Sequence, residues 1–265
     1  MTSITNATCA KPRVRWSDLR TYSQWEKIRE LYLPLPWLAL SLWATSNDWF
    51  VLTIVAAFYF FLTGLRVTHN AFHYCLGLPK FATDCVMFIL SVLMLGSLHA
   101  VQYTHLIHHR HCLSEEDIEG SVAKQGFWET LIKGPLFPIH IHIAALRGST
   151  YTQNRWIKLE LAANVLWLGS VWLWWDNEPL KVHSLLMIVA YCFSAFFAVW
   201  TVHHDCKDHN WDNARTLRCK WKSILFYNMF YHIEHHLYPQ VPTCHLPELA
   251  KRLDAAGYST HKPVI

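Results

Sequence analysis

Long apolar runs separated by short polar breaks organise this chain. Residues 31–45 (LYLPLPWLALSLWAT) and 49–66 (WFVLTIVAAFYFFLTGLR) flank a three-residue polar turn, Ser46, Asn47 and Asp48. Residues 159–175 and 182–202 repeat the arrangement around Asp176, Asn177, Glu178 and Pro179. A helix crosses a bilayer with roughly 20 apolar residues. The first run is short by that measure and carries Pro34 and Pro36 in its first turn, where proline is tolerated. The pattern predicts two membrane hairpins, hence four crossings. A further run, residues 81–98, lies between the hairpins and is considered with the histidines below.

The polar remainder is expected to stay outside the bilayer. Residues 1–30 are basic, with Lys11, Arg13, Arg15, Arg20, Lys27 and Arg29. The apolar run after them starts too late and runs too long for a signal peptide, so the segment is expected to remain on the mature protein. Residues 110–158 are amphipathic to polar. They hold an acidic patch (Glu115, Glu116, Asp117, Glu119) and a stretch at 126–142, GFWETLIKGPLFPIHIH, suited to an interfacial helix. Residues 237–265 read as an irregular cytosolic tail with a short helix near 248–255. No internal repeat is visible, and residues 1–265 are expected to form a single domain.

Composition places these runs in a membrane rather than in a soluble core. Hydrophobic residues are 52% of the chain, 14 residues are tryptophan and only 16% are charged. The net charge of +4 does not suggest nucleic acid, because the basic residues form no single arm interleaved with aromatics. The eight cysteines (Cys9, Cys75, Cys85, Cys112, Cys192, Cys206, Cys219, Cys244) make no CxxC pair and are expected to be reduced thiols.

The candidate chemistry is histidine. Eight of 18 histidines fall in three compact stretches: HNAFH (His69, His73), HLIHH (His105, His108, His109) and HIEHH (His232, His235, His236). Residues at i, i+3 and i+4 share a helical face, so each stretch can aim two or three imidazoles at one point. Imidazole suits iron, zinc, copper and nickel, and eight ligands exceed the roughly four that satisfy one zinc. The arithmetic points to two metals.

A shared site constrains topology. If residues 81–98 crossed the membrane, the first two stretches would lie on opposite sides, so this run is expected to be re-entrant or interfacial. Under four crossings Lys181 alone lies away from the clusters, and the other 22 of 23 Lys and Arg lie beside them. Cationic loops stay cytoplasmic, which assigns the clusters and both termini to the cytosol. Trp43, Trp49, Trp172, Trp174 and Trp175 then mark the far interface. Metal-bound imidazoles are oriented through their second ring nitrogen, for which Asp84, Glu116, Asp117, Asp205, Asp208 and Glu234 are candidate partners. His99, His111, His140, His142, His183, His209, His245 and His261 are isolated or off the spacing and are read as ordinary core or surface residues.

HNAFH, HLIHH and YHIEHHLYPQVP, in this order around two hairpins, resemble the three histidine boxes of the membrane fatty acid desaturase and hydroxylase superfamily, over roughly residues 45–250. The resemblance implies an all-α integral membrane fold with a cytosolic helical cap. It implies two iron ions with almost wholly histidine ligands, using O2 and two electrons on an unactivated C–H bond. The eight box histidines match position by position. Relatives add a ninth before the third box, for which His203 in WTVHHD is the choice and His204 the competitor. Asn228, four residues before His232, can share its helical face and hold a metal-bound water. The sequence shows no cytochrome b5-like domain and no nucleotide-binding glycine signature. Electrons are therefore expected from a separate ferredoxin, rubredoxin or cytochrome docking on the basic cytosolic face.

An acyl substrate and desaturation are favoured because Arg215–Thr216–Leu217, followed by NMFYHIEHHLYPQVP, looks more like acyl desaturases than carotenoid ketolases. The latter often carry a tryptophan pair where this chain has Thr243 and Cys244. The nearest alternative is a hydroxylase or ketolase of the same architecture acting on an alkane, acyl chain or carotenoid. A non-catalytic metal-binding or transporting membrane protein is the alternative from another class. A transporter places ionisable groups within its spans. Here the proposed crossings hold almost none.

Overall fold

The structure, a computed structural model, describes residues 13–207, 213–258 and 262–264. Asp208, His209 and His261 lie outside the described residues, as do Cys9 and Lys11. The described chain is helical, and its one β-bridge joins Thr216 to Pro263. In chain order the helices are α1 (Gln24–Tyr32), α2 (Leu35–Thr45), α3 (Phe50–Phe72), α4 (Lys80–Met94), α5 (Leu98–His111), α6 (Phe127–Lys133), α7 (Phe137–Gly148), α8 (Tyr151–Gly169), α9 (Glu178–Cys192), α10 (Thr201–His203), α11 (Lys220–Leu225), α12 (His232–Leu237) and α13 (Leu246–Ala255). π-helical turns continue α8 at Ser170–Trp174 and lead into α10 at Ala195–Trp200.

α3 has 23 residues, about 35 Å at 1.5 Å per residue, and is long and apolar enough to cross a membrane. Two bent pairs have the same property when each is taken as one span: α4 with α5, and α9 with the segment ending in α10. By length and composition the described residues therefore hold one spanning helix, or up to three. α2 has 11 residues, about 16 Å, and does not qualify alone. Pro34 caps it and Pro36 lies in its first turn, as expected of a proline-led start. Most of α8 overlaps the expected third crossing, but Arg155, Lys158 and Glu160 lower the apolarity of its first half. The exposed tryptophans Trp43, Trp49, Trp172, Trp174 and Trp175 sit at the turns closing the two predicted hairpins.

The run at 81–98 is not a straight span. α4 ends at Leu95, which is left-handed (φ 62°), and α5 leaves at 112° to it. The N–H of Gly96 closes the turn on the Ser91 carbonyl at 3.2 Å. A Cβ at Gly96 would collide with the Tyr191 side chain, so glycine lets α9 press against the turn. Ser97 caps α5, and a fully buried carboxylate from α8, Glu160, gathers the helix start. Glu160 accepts from Ser97 Oγ (2.6 Å) and the His99 N–H (3.1 Å), and faces His99 Nδ1 at 2.7 Å. A negative group suits the unsatisfied N–H groups of a helix N-terminus. The polar reversal is thereby stable inside an apolar core containing Phe60, Met87, Met94, Leu98 and Met187.

A second core lies in the cap. Ile233 and Leu237 of α12 pack with Leu246, Leu249 and Leu253 of the tail and with Leu19 of the N-terminal segment. The tail contains the expected short helix as α13. A buried pair joins the two regions: Arg66 of α3 meets Glu30 of α1 at 2.8 and 2.5 Å and donates to the Tyr227 carbonyl at 2.5 Å. None of the seven described cysteines is in a disulfide.

Candidate metal centre

Four segments end at one place. α3 delivers His69 and, at its C-terminal cap, His73; α5 delivers His105, His108 and His109. α10 ends in His203, and α12 carries His232, His235 and His236. Their ring nitrogens form two groups. His69, His73, His105, His109 and His235 make one; His108, His203, His232 and His236 make the other.

The spacing HxxHH works differently from the sequence expectation of one aim per stretch. In α5 the i, i+4 pair His105 and His109 faces the first group while His108, at i+3, faces the second. In α12 the pair His232 and His236 faces the second group and His235 crosses to the first. Relative to residue i, the i+3 side chain is rotated about 60° one way and the i+4 side chain about 40° the other, enough to separate two aims a few ångströms apart.

Within each group Nε2 atoms face one another: His235 to His109 at 2.8 Å, His109 to His105 at 3.1 Å and His105 to His73 at 3.2 Å. In the second group His232 is 2.9 Å and His108 3.0 Å from His203, and His236 is 3.2 Å from His232. Neutral imidazole nitrogens this close need a cation among them, since one proton satisfies only one pair. Ligand nitrogens about 2.1 Å from an ion and at right angles stand about 3.0 Å apart, so the residues fit two imidazole-bound metals. Burial, and after it the charge of the surrounding imidazoles, holds His232, His235 and His236 well below the ordinary histidine range. Neutral rings are the metal-ready form.

Second ring nitrogens are also held. His108 Nδ1 meets Asp117 at 2.7 Å, and His203 Nδ1 meets the Asn213 carbonyl at 2.6 Å. His105 Nδ1 faces Glu119 at 3.4 Å, and Thr104 Oγ1 donates to the same carboxylate at 2.6 Å. Burial works to raise the Asp117 pKa, but hydrogen bonds from His108 and the Gly120 and Leu113 N–H groups outweigh it and keep the carboxyl below its usual range. Asp117 was a sequence candidate for this role. In the sequence Glu119 stands out only as part of an acidic patch, and that patch is the signal that leads to it.

The other candidates are placed elsewhere. Glu116 pairs with His111 at the surface, Asp84 with Lys80 and Tyr74, and Glu234 with Arg218 and Thr216. Asp205 is exposed beside Arg215. His204 leaves the helix (ψ 143°), stacks on Trp200 at 4.0 Å and turns Nδ1 to the Trp200 carbonyl. It is outside both groups. Asn228 does not share a helical face with His232, because it lies in a turn with φ 59° before α12 begins. His99 and His183 are buried and bonded to Glu160 and the Leu93 carbonyl, half-buried His142 accepts from the Ser97 N–H and lines the cavity beside the imidazoles, and His140 is exposed.

Beside the imidazoles opens a cavity of about 350 Å³. Its wall includes His69, His105, His232 and Glu119, then turns apolar through Leu62, Phe58 and Ile54 of α3, Ile141 of α7 and Val189 of α9. Ile54 lies 15 residues before His69, so the apolar wall extends about 22 Å from the histidines.

No curated protein matches the chain. A family model described as fatty acid desaturase matches residues 47–265, a span that holds all nine converging histidines and the cavity wall. The chain belongs to the fatty acid desaturase family.

Proposed function

We propose that this protein is an O2-dependent, non-haem di-iron desaturase that places a double bond in the alkyl part of a fatty acyl lipid. The observation that carries the reading is the joining of two imidazole groups to a long apolar cavity. His69, His73, His105, His109 and His235 would hold one iron, and His108, His203, His232 and His236 the other. When bound, the irons supply the oxidising power, with O2 as co-substrate. The chain's own residues do the rest. Asp117, Glu119 and the Asn213 carbonyl fix ring orientation, and the apolar walls hold the alkyl chain in one path and exclude water.

The same reading embeds the protein by four crossings with 81–98 re-entrant, and puts the histidines and both termini in the cytoplasm. The common destination of α3, α5, α10 and α12 supports it. Electrons arrive from a separate protein, a ferredoxin, rubredoxin or cytochrome, docking on the basic cytosolic face.

Lipid analysis of cells expressing the protein under labelled O2 tests the reaction. A new double bond with no label in the lipid is expected, and the effect should vanish with His109→Ala. A labelled hydroxyl or keto group as the main product transfers the assignment to a hydroxylase or ketolase. Labelling of a cysteine placed at position 90 from outside the cell would overturn the topology.

A further inference from the structure

A third group of metal-ligating side chains lies away from the nine histidines. Glu26, at the start of α1, meets Cys244 and His245, which follow the PQVP turn after α12. One carboxylate oxygen, the thiol sulfur and one ring nitrogen lie within 4.8 Å of one another. Each residue is half-buried.

The surroundings prepare these atoms. His245 Nδ1 lies 2.7 Å from the Leu19 carbonyl, which fixes the proton there and leaves the Nε2 lone pair free. Nε2 faces Glu26 Oε1 at 3.1 Å. The other Glu26 oxygen is tied down by the Ser23 N–H (2.8 Å) and hydroxyl (2.7 Å), so only Oε1 is free to turn to the imidazole. Asn70 steadies both halves from α3: its Oδ1 accepts from the Thr243 N–H (3.0 Å) and hydroxyl (2.9 Å), and its Nδ2 donates to Tyr22 at 3.2 Å.

A lone pair facing a carboxylate oxygen calls for a cation between them. A proton would meet that need, with the Cys244 side chain as a second hydrogen-bond partner of His245, whereas a divalent ion meets it by engaging all three converging donor atoms at once. Tetrahedral zinc with ligands about 2.0–2.3 Å away sets nitrogen and oxygen about 3.3 Å apart, close to the spacing here. The thiolate excludes magnesium and calcium, which prefer oxygen alone. One thiolate and one carboxylate also balance the charge of a divalent ion. We propose that Glu26, Cys244 and His245 bind one Zn2+, with water as fourth ligand, as a clasp joining the N-terminal segment to the tail behind the first histidine box. The clasp is structural: it holds the cap against α3 at Asn70, next to His69.

Metal analysis of the purified full-length protein tests this. About one zinc is expected in addition to iron. Cys244→Ser and His245→Asn should each lower zinc at least about tenfold while iron stays, and His109→Ala should lower iron while zinc stays. That crossed pattern separates failure of the clasp from failure of the di-iron reading. Because a variant can fail to fold, the wild type is also stripped of zinc and titrated with Co2+, which should give a thiolate-to-cobalt absorption band and restore the melting temperature. Zinc unchanged in both variants, or no thiolate band with Co2+ in the wild type, would overturn the proposal and leave a simple His245–Glu26 ion pair.

Discussion

The two histidine groups are built by different means. The five-histidine group rests mainly on α3 and α5, helices of 23 and 14 residues embedded in the larger apolar core. The four-histidine group draws two ligands from α12, a helix of six residues, and one from the three-residue α10. Helices that short are not stable alone. Their position comes from the cap core around Ile233 and Leu249, and the ring of His203 is held by the Asn213 carbonyl at 2.6 Å; the fourth ligand, His108, comes from the long α5 and meets Asp117 at 2.7 Å. The corresponding contact in the five-histidine group, His105 to Glu119, is longer at 3.4 Å. Long helices carry their direction with them, whereas the short ones take theirs from the cap core packed around them.

His108 and His235 cross between the groups, so removing either ligand set disturbs both. His109→Ala and His236→Ala are therefore expected to have the largest effect: loss of activity beyond about 100-fold and loss of most iron, measured by turnover and metal content. His183→Ala, at a buried residue bonded to the Leu93 carbonyl, should keep its iron.

The orienting partners should separate the groups. Asp117→Asn is expected to cost about 10–100-fold in activity or iron affinity, the range typical of such partners. Glu119→Gln should cost less, because its contact with His105 is longer and an amide still accepts from Thr104. Equal losses would show that the two groups depend on their partners alike.

Acid should act through the cap. His232, His235 and His236 have folded pKa values well below the ordinary value, held there by burial and then by neighbouring imidazoles. Their contribution is present above the unfolded value of about 6.5 and falls as pH drops below it, because the unfolded chain then binds more protons. Melting temperature and retained iron should both decline from about pH 6.5 downward in the iron-poor protein, and at lower pH in the iron-loaded form. His204→Phe should be the mildest change: it keeps the stack on Trp200, loses one hydrogen bond of about 1 kcal/mol, and leaves iron content unaltered.

The order and spacing of the boxes were legible in the sequence because helical period places i, i+3 and i+4 on one face. Parity predicts that 81–98 is no straight crossing, since a shared site forbids one between the first two boxes, and the 112° bend between α4 and α5 agrees with that. The proline-led start of α2 and the short tail helix followed from local rules of the same kind. Periodicity gives a face but not the point that face looks at. The division of HLIHH and HIEHH between two groups therefore required the relative placement of α3, α5, α10 and α12. His203 and His204 are adjacent and chemically alike, and only the departure of the backbone from the helix at His204 sends one inward and the other onto Trp200. Glu160 under the α4–α5 turn and Glu119 behind His105 lie 61 and 14 residues from the histidines they face. No local pattern spans such distances. They are joined because a buried carboxylate must find hydrogen-bond donors, and the packed fold alone decides which donors are near.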